Sequence, residues 1–517
     1  MIFLCIFPLL VIVWRLVASS SHLSRIPRTV PWSGTERGFT PYLFMQIRGI
    51  WNTPDVMKDA YQKYCKNGAI CAVALPFSRP EILLPKHLIH WMTTQSDNVL
   101  NPTPIQHELV AAKYAFFSSS VQKETAVYDV LRVQMNRHVP NLVPKLGEKL
   151  TSSIDQIFGC NTEWKEVQVF LLVRRVFAKV ITWFVVGDDL CRDQQLVDNL
   201  DKFSSTVIPS AIAISLFPDF LKPISSRFIL ILNRVYLKRS IKVLGPYIEK
   251  RIAEIENGAS KTRSQENVLT WHIEEALRKK EPRETMADMV ACRLFATIMA
   301  ALESTTLAMT NTLFKISASE NSTEIWDILK QESEEALSAK IELESVNKLH
   351  LADSAIKETL RLHTALKALS VQVMQPAGIT LKDYGIHLPL GSRIGVSAWG
   401  VHYDEDIYPN AYSYDAFRHM QLSQDGEKPS NTYLMVSPSE NYLSFGYGKH
   451  ACPGRQFASA LLKIFLAHVA ANYDFEQVDN KPGFFNLGHL PTPPVEAKLR
   501  MRRKSGFAKS MEDSSLV

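Results

Sequence analysis

The sequence lacks several patterns that would assign the chain to a common functional class. None of its seven cysteines forms a C-x-x-C pair and their number is odd, which leaves a zinc knuckle without ligands and argues against a secreted disulfide scaffold. No G-x-x-x-x-G-K-[ST] loop is present for a nucleotide phosphate, and no credible fingerprint binds a nicotinamide or a flavin. We find no internal repeat, no low-complexity tract and no linker at which to divide the chain.

A large excess of charge of one sign is also missing. The 58 Lys and Arg residues exceed the 52 Asp and Glu residues by six, and the sequence pI is about 8.7. Nucleic-acid binding usually shows a concentrated basic stripe, so no nucleic-acid partner is expected. With 46% hydrophobic and 21% charged residues the composition is that of a folded globular protein. A basic face for docking an acidic protein partner stays open.

The first 18 residues are apolar except for Arg15, and no Lys or Arg precedes them. Arg25 and Arg28 follow on the C-terminal side, so the positive-inside rule places the body of the protein in the cytoplasm. We predict one membrane helix and a single-pass protein. The alternative is a cleaved signal peptide, which the missing basic start disfavours. We therefore expect residues 1–20 to be an N-terminal membrane anchor and residues 21–40 a Pro-containing hinge.

The remaining pattern predicts a mainly α fold with small β-sheets (α+β). Residues 69–75 and 81–84 are short β-branched runs that indicate a small sheet. Residues 285–317 contain neither Gly nor Pro, so they predict a helix on the order of 50 Å long. Further helices are predicted over residues 346–363 and 453–472. The predicted strands between these two helices cover residues 371–373, 378–381 and 393–398. We expect one domain over residues 41–505 and a disordered tail over residues 506–517.

A Gly-rich loop that leads into an apolar helix carries the chemistry. It reads Ser444-Phe445-Gly446-Tyr447-Gly448-Lys449-His450-Ala451-Cys452-Pro453-Gly454-Arg455. Backbone N–H groups and the helix dipole favour a thiolate at Cys452, which predicts a metal ligand. Gly448 and Gly454 let the backbone approach a flat ligand, Phe445 can pack against it, and His450 can donate to an acid group at its edge. The alternative is an inert core thiol, but such thiols rarely lie inside a loop of this kind.

This loop resembles the signature of the cytochrome P450 superfamily, F-x-x-G-x-[RH]-x-C-x-G. It matches every fixed position, namely Phe445, Gly448, His450, Cys452 and Gly454. The resemblance implies the cytochrome P450 fold and a heme b cofactor whose iron has Cys452 as its axial ligand. In detail the sequence is most similar to filamentous-fungal enzymes of secondary metabolism.

A second match is Glu358-Thr359-Leu360-Arg361, which is similar to the E-x-x-R motif of the family. Alone, Glu and Arg at this spacing are usually an ordinary surface pair on a helix. The order of the motifs strengthens the match to E-x-x-R, because a segment similar to the family's F-x-x-F-R follows it in the chain and ends at Arg418. The resemblance implies that Glu358, Arg361 and Arg418 form a buried structural network behind the heme.

The middle of the longest predicted helix, residues 300–305, lines up with the family's [AG]-G-x-[DE]-T-[TS]. The resemblance implies that Glu303, Ser304 and Thr305 are catalytic and relay protons to bound dioxygen, and that Ala301 lies beside the cofactor. Two positions depart from the common pattern, since Ala301 replaces Gly and Ser304 replaces Thr. A simple amphipathic helix with a few polar residues is the alternative.

Two features that relatives use to hold the heme propionates are missing. No W-x-x-x-R is present, and Arg132 and Arg137 are loose candidates for that arginine. Gln372 stands on the strand after the E-x-x-R helix, where relatives often carry an Arg. Heme binding is therefore expected to depend more on His450.

The resemblance implies a cytochrome P450 monooxygenase in the endoplasmic reticulum membrane. It would use dioxygen and electrons from a separate NADPH–cytochrome P450 reductase to hydroxylate or otherwise oxidise a bulky hydrophobic secondary metabolite. The expected substrate classes are terpenoids, indole-diterpenes, polyketides and alkaloids. Other functions stay open: a heme-thiolate isomerase, dehydratase or peroxide user, or a non-catalytic membrane heme carrier or sensor.

Overall fold

A computed structural model describes most of the chain. The described residues are 25–34, 39–116, 126–258, 266–280, 286–337, 340–421, 433–478, 485–488, 490–492 and 495–504. The predicted membrane anchor, residues 1–20, and the predicted tail, residues 506–517, lie outside them. Residues 25–34 and 39–40 of the predicted hinge lie within them.

Helices dominate the described residues, which confirms the predicted mainly α class. Their bounds are α1 Phe39–Lys63, α2 Ile89–Thr94, α3 Thr103–Leu109, α4 Ala112–Ala115, α5 Ala126–Phe158, α6 Val169–Val186, α7 Gln194–Ser215, α8 Lys222–Ile229, α9 Ile231–Glu256, α10 Val268–Lys279, α11 Ala287–Ser317, α12 Ser322–Leu337, α13 Leu343–Asn347, α14 His350–Leu362, α15 Ala398–His402, α16 Arg418–Gln421 and α17 Arg455–Asn472.

The strands form small sheets, as predicted. Their bounds are β1 Cys71–Val73, β2 Glu81–Leu83, β3 Leu100–Asn101, β4 Lys165–Gln168, β5 Ala368–Val373, β6 Ile379–Leu381, β7 Ile386–Leu388, β8 Arg393–Ser397, β9 Tyr473–Phe475, β10 Phe485–Leu487, β11 Leu490–Thr492 and β12 Lys498–Arg503. The largest sheet has the order β1-β2-β8-β5-β3, and only its β2–β8 pairing is parallel among the described pairings. Strands β4, β12 and β9 form a second sheet, and β6–β7 and β10–β11 are hairpins.

The helix predicted over residues 346–363 is wrong in its extent. The structure divides this region into α13 and α14, which are separated at Lys348 and Leu349. The physical reason is a capping interaction from α12, because the Glu332 carboxylate accepts hydrogen bonds from the backbone N–H groups of Leu351 and Ala352, at 2.6 and 2.9 Å. These donors are free at a helix start and have no intrahelical partner, so the acid fixes a new helix beginning there.

Helix α11 crosses the helical core. It packs against α6, α7, α9 and α14, and most of its side chains are buried. Among the described residues it is the one helix long and apolar enough to span a membrane, but 61% of its most apolar window is buried inside the protein. A helix covered by protein in this way is a core element.

The described part of the predicted hinge is docked on the five-stranded sheet. Ile26, Val30 and Trp32 are buried. The backbone N–H of Ala72 in β1 donates to the Pro31 carbonyl at 2.8 Å, and the N–H of Ser33 donates to the Ala72 carbonyl at 2.9 Å. Residues 25–34 therefore belong to the packed body of the protein.

Two apolar clusters make up the core. The larger one joins the long helices, including α5, α6, α11 and α17, and the smaller one surrounds the five-stranded sheet. Helix α17 packs against α5, α11 and α12, so the loop that precedes it is fixed at the edge of the helical core.

Candidate active site

The cysteine loop is a series of tight turns that ends at the start of α17. Gly446 and Gly448 have φ angles of +75° and +65°, values that side-chain-bearing residues rarely adopt. The backbone N–H of Cys452 donates to the Phe445 carbonyl at 2.7 Å, and that of Ala451 donates to the Gly448 carbonyl at 3.1 Å. The Gly448 turn also lies against Thr93 of α2, since a Cβ at Gly448 would stand 3.0 Å from its side chain.

Opposing effects act on the thiol of Cys452. Burial raises its pKa and outweighs the backbone N–H groups of Gly454 and Arg455 and the Arg455 charge, which lower it. The backbone donors expected from the sequence are present, but burial has a larger effect on this pKa than they do. A metal cation bound at the sulfur would supply the positive charge that favours the thiolate, since a coordinating thiol is deprotonated.

Helix α11 has an accessible strip in its middle, although most of its side chains are buried. The strip consists of Ala296, Ala300, Ser304 and Leu307, which lie on one helix face. Ala300 and Ser304 are exposed, and the other two are half-buried. The short side chains of the two alanines leave the surface of the helix open at this strip.

The hydroxyls predicted for proton transfer bind their own helix. Ser304 Oγ donates to the Ala300 carbonyl and Thr305 Oγ1 donates to the Ala301 carbonyl, both at 2.7 Å. Such bonds slightly destabilise a helix and often bend it. The helix nevertheless runs without interruption from Ala287 to Ser317.

The Glu303 carboxylate is engaged by two neighbouring helices. It accepts hydrogen bonds from Arg174 of α6 at 2.8 and 3.1 Å and from Ser204 Oγ of α7 at 2.6 Å. Arg174 also donates to Asp201 of α7 at 2.6 Å, so two carboxylates share one guanidinium. Burial raises the pKa of Asp201 despite this contact. Sequence reasoning missed Arg174, Asp201 and Ser204, because no local spacing connects them to Glu303.

The structure brings Glu358, Arg361 and Arg418 together in one buried network. Arg361 donates to both carboxylate oxygens of Glu358, at 2.7 and 2.8 Å, and Arg418 Nε donates to Glu358 at 2.9 Å. Burial alone would raise the pKa of Glu358, but the hydrogen bonds from Arg361 and His419 outweigh it and lower this pKa to about 2.

A buried histidine connects this network to the cysteine loop. His402 Nδ1 donates to the Arg361 carbonyl at 3.0 Å, and His402 Nε2 accepts the backbone N–H of Leu443 at 2.9 Å. Ser444 Oγ also donates to the Leu360 carbonyl at 2.9 Å. Helix α14 therefore fixes the first residues of the loop.

His450 contacts a carboxylate of the protein in this structure, and its predicted contact with an acid group of the ligand stays a prediction. Its Nε2 lies 3.0 Å from Asp97 Oδ1, and Lys449 Nζ lies 2.6 Å from the same oxygen. Asp97 lies in the turn between α2 and β3. Sequence reasoning missed both Asp97 and Lys449.

Helix α5 presents a stripe of three residues to the cysteine loop. Met135 Cε lies 3.6 Å from the position that a Cβ of Gly454 would take. One turn earlier lies Arg132, whose charge adds to the effect of burial in lowering the pKa of His450. Another turn earlier, Tyr128 has a pKa raised first by burial and then by the charge of Cys452. The missed signal is Tyr128-x-x-x-Arg132, which keeps the spacing of W-x-x-x-R with Tyr in place of Trp.

Gln372 lies half-buried on β5, directly opposite Arg393 of β8 in the sheet register. Directly opposite residues share a sheet face, so an arginine is present here on the neighbouring strand. Arg393 is buried and donates to Glu108 of α3 at 2.6 Å. It therefore joins α3 to the sheet.

A family model described as Cytochrome P450 matches residues 122–501 of the chain. The chain belongs to the cytochrome P450 family. It is 29% identical to cytochrome P450 monooxygenase gloO of Glarea lozoyensis, with 93% of each protein covered. It is 30% identical to ecdH of Aspergillus rugulosus, with 90% of each covered, and 26% identical to polB of Polytolypa hystricis, with 92% and 94% covered.

The fold is similar to that of a solved family member. The retinoic acid-bound cyanobacterial CYP120A1 has a TM-score of 0.61 and 17% sequence identity, with 88% of this chain and 97% of that chain covered. The protein is thus a heme-thiolate monooxygenase with the cytochrome P450 fold, and membership of the family implies a cysteine thiolate on the heme iron and the use of dioxygen.

Proposed function

We propose that Cys452 is the axial ligand of the heme b iron in this monooxygenase. The geometry of the cysteine loop carries the proposal. The sulfur lies at the start of α17, next to backbone N–H groups that favour its thiolate, and the turns at Gly446 and Gly448 require glycine. Heme iron held by a thiolate supplies the redox chemistry that activates dioxygen for insertion into a C–H bond.

Other residues of the site would hold the cofactor in place. Phe445 accepts the backbone N–H of Cys452, Gly454 is two positions after Cys452, and Ala301 belongs to the helix that carries the open strip. Arg132 would supply a cation to the acidic propionate edge and His450 a hydrogen-bond donor, because burial first, and nearby charges that include Arg132, lower the pKa of His450 and favour its neutral form. The Glu358–Arg361–Arg418 network supports the loop through His402 and Leu443.

Glu303, Ser304 and Thr305 would handle protons. Conversion of dioxygen to one product hydroxyl and one water consumes two protons, so a buried site needs an acid that exchanges with solvent. The Glu303 side chain is 33% exposed, and Ser304 on the next position faces the open strip of α11. Release of Glu303 from Arg174 would let the carboxylate carry a proton from the surface to the Ser304 hydroxyl.

Replacement of the proposed ligand tests the assignment. Cys452→Ala is expected to abolish turnover and the thiolate-type spectrum of the reduced carbon monoxide complex. Cys191→Ala is a suitable control, because this half-buried thiol lies in the turn after α6, away from the loop. A Cys452→Ala protein that kept the thiolate spectrum would refute the ligand assignment.

We propose that the substrate is a bulky hydrophobic secondary metabolite, such as a terpenoid, an indole-diterpene, a polyketide or an alkaloid. The alanines of the open strip on α11 support a wide cavity, and the similar fungal proteins are named monooxygenases. The chain should be expressed beside an NADPH–cytochrome P450 reductase and supplied with candidate metabolites under labelled dioxygen. One labelled oxygen in the product is expected, and active turnover without label would support an isomerase or dehydratase.

We also propose a single-pass protein of the endoplasmic reticulum membrane with its catalytic domain in the cytoplasm. Phe220, Ile224 and Phe228 of the α8 region are exposed by 70, 57 and 69%. Residues 220–248 contain six Lys or Arg and no Asp or Glu. An apolar and basic surface favours contact with anionic lipid. The full chain is expected to stay with microsomal membranes in alkaline carbonate, and its release would contradict the anchor.

A further inference from the structure

Ion pairs connect the turn between α2 and β3 to the cysteine loop. Asp97 Oδ1 contacts Lys449 Nζ at 2.6 Å and His450 Nε2 at 3.0 Å. Lys449 Nζ also donates to the Gln95 carbonyl at 2.5 Å. Two consecutive residues of the loop are thus held by a segment about 350 positions earlier in the sequence.

Packing fixes the distance between the two segments. Thr93 at the end of α2 lies against the Gly448 turn, where a Cβ would come within 3.0 Å of its side chain. Beyond Asp97, Leu100 and Asn101 pair with β5 in the five-stranded sheet. The turn is held at both ends, so Asp97 is positioned by the fold as well as by its ion pairs.

The orientation of the His450 ring follows from this contact. With Nε2 engaged by Asp97, Nδ1 is the ring nitrogen left for another partner. Second-shell carboxylates orient histidines at metal sites in the same manner. Asp97 also places a negative charge beside Lys449 and His450, and the positive charge of Arg132 acts on His450 as well.

We propose that Asp97 is a positioning residue for the heme, which orients His450 and offsets the positive charge that the cysteine loop presents to the acidic edge of the cofactor. The proposal rests on heme ligation by Cys452. Reduction of the iron adds an electron, so negative charge nearby disfavours the ferrous state and positive charge favours it. Asp97 and Lys449 therefore shift the midpoint potential in opposite directions.

The test measures the ferric–ferrous midpoint potential of the heme-loaded full chain. Asp97→Asn is expected to raise the potential and Lys449→Met to lower it, and the double variant is expected to return close to the wild-type value. Asp59→Asn is the matched control, because Asp59 is an exposed acid on α1 whose ion-pair partner is Lys63 of the same helix. Asp97→Glu keeps the charge and is expected to keep the wild-type potential.

A second readout is the rate at which hemin transfers to apomyoglobin, which is expected to rise roughly tenfold in Asp97→Asn. An unchanged potential in both single variants, or shifts of the same sign, would overturn the proposal. If Asp97→Asn cannot be purified with heme, Lys449→Met decides the question: a lowered potential supports the proposal, and an unchanged or raised potential overturns it. Failure of heme ligation itself is recognised separately, because the wild-type chain would then lack the thiolate spectrum.

Discussion

Arg174 holds Glu303 by two hydrogen bonds, at 2.8 and 3.1 Å, across the contact between α6 and α11. The same guanidinium donates to Asp201, so two carboxylates compete for one cation. A carboxylate engaged in this way is a poor proton carrier, because departure from Arg174 must come first. Because Asp201 is an alternative partner for the guanidinium, we expect it to lower the cost of releasing Glu303.

Two substitutions examine this arrangement. Glu303→Gln is expected to lower turnover roughly 100-fold, since general acid–base groups contribute at least that much. Electrons should then appear as hydrogen peroxide in place of product. Asp201→Asn leaves Glu303 as the one acid on Arg174, so slower turnover and a larger solvent isotope effect are expected.

Asp198→Asn is the control for these measurements, because Asp198 is exposed on α7 and accepts its hydrogen bond from Gln194. Steady-state kinetics in H2O and D2O, together with a peroxide assay, compare the three variants. Equal isotope effects in Asp201→Asn and Asp198→Asn would show that Asp201 has no part in proton delivery.

The residues that the sequence identified and those it missed differ in the range of their contacts. Glu358 and Arg361 are three positions apart on one helix, so their pairing follows from helix geometry. The loop turns follow from its glycines. In contrast, Arg174 lies 129 positions from Glu303, and Asp97 lies 353 from His450. Only tertiary packing brings such residues together, and no local sequence pattern indicates that they are in contact.

Substitution can also hide a pattern that is local. Tyr128 and Arg132 keep the spacing of the family's W-x-x-x-R, but the motif is not recognised in the sequence because Tyr stands in place of Trp. The break between α13 and α14 was hidden for another reason, since its cap is the Glu332 side chain of a different helix. The fold class depends neither on this motif nor on the break between α13 and α14, so it could be predicted from the sequence.

Glu358→Gln is expected to destabilise the protein strongly. The carboxylate is fully buried and faces both Arg361 and Arg418, so its neutralisation leaves two guanidinium groups without a counter-charge. Breaking a buried pair costs about 3–5 kcal/mol. Glu344→Gln is the control, because Glu344 forms an exposed pair with Lys348 that contributes less than about 1 kcal/mol. The free energy of unfolding in urea compares them, and a similar small loss in both would contradict the network's role.

The same carboxylate predicts how stability depends on pH. Its pKa is lowered from 4.5 to about 2 in the folded protein, so its stabilisation is complete above about pH 4.5 and is lost as pH falls toward 2. The full contribution is on the order of 3 kcal/mol. Urea midpoints measured between about pH 5 and pH 3 should fall with acidity in the wild type and fall less in Glu358→Gln. Parallel curves would mean that other groups determine the acid sensitivity.

Gly448→Ala is expected to weaken heme retention. The residue has a φ of +65° and a Cβ there would stand 3.0 Å from Thr93, so alanine adds both backbone strain and a close contact. Gly258→Ala separates the two effects, because Gly258 has a φ of +72° with open space around it. Both variants should lose about 1 kcal/mol of stability through strain. Only Gly448→Ala should release hemin faster, since Gly448 lies in the cysteine loop and Gly258 does not. Equal release rates would place the cause in backbone strain alone.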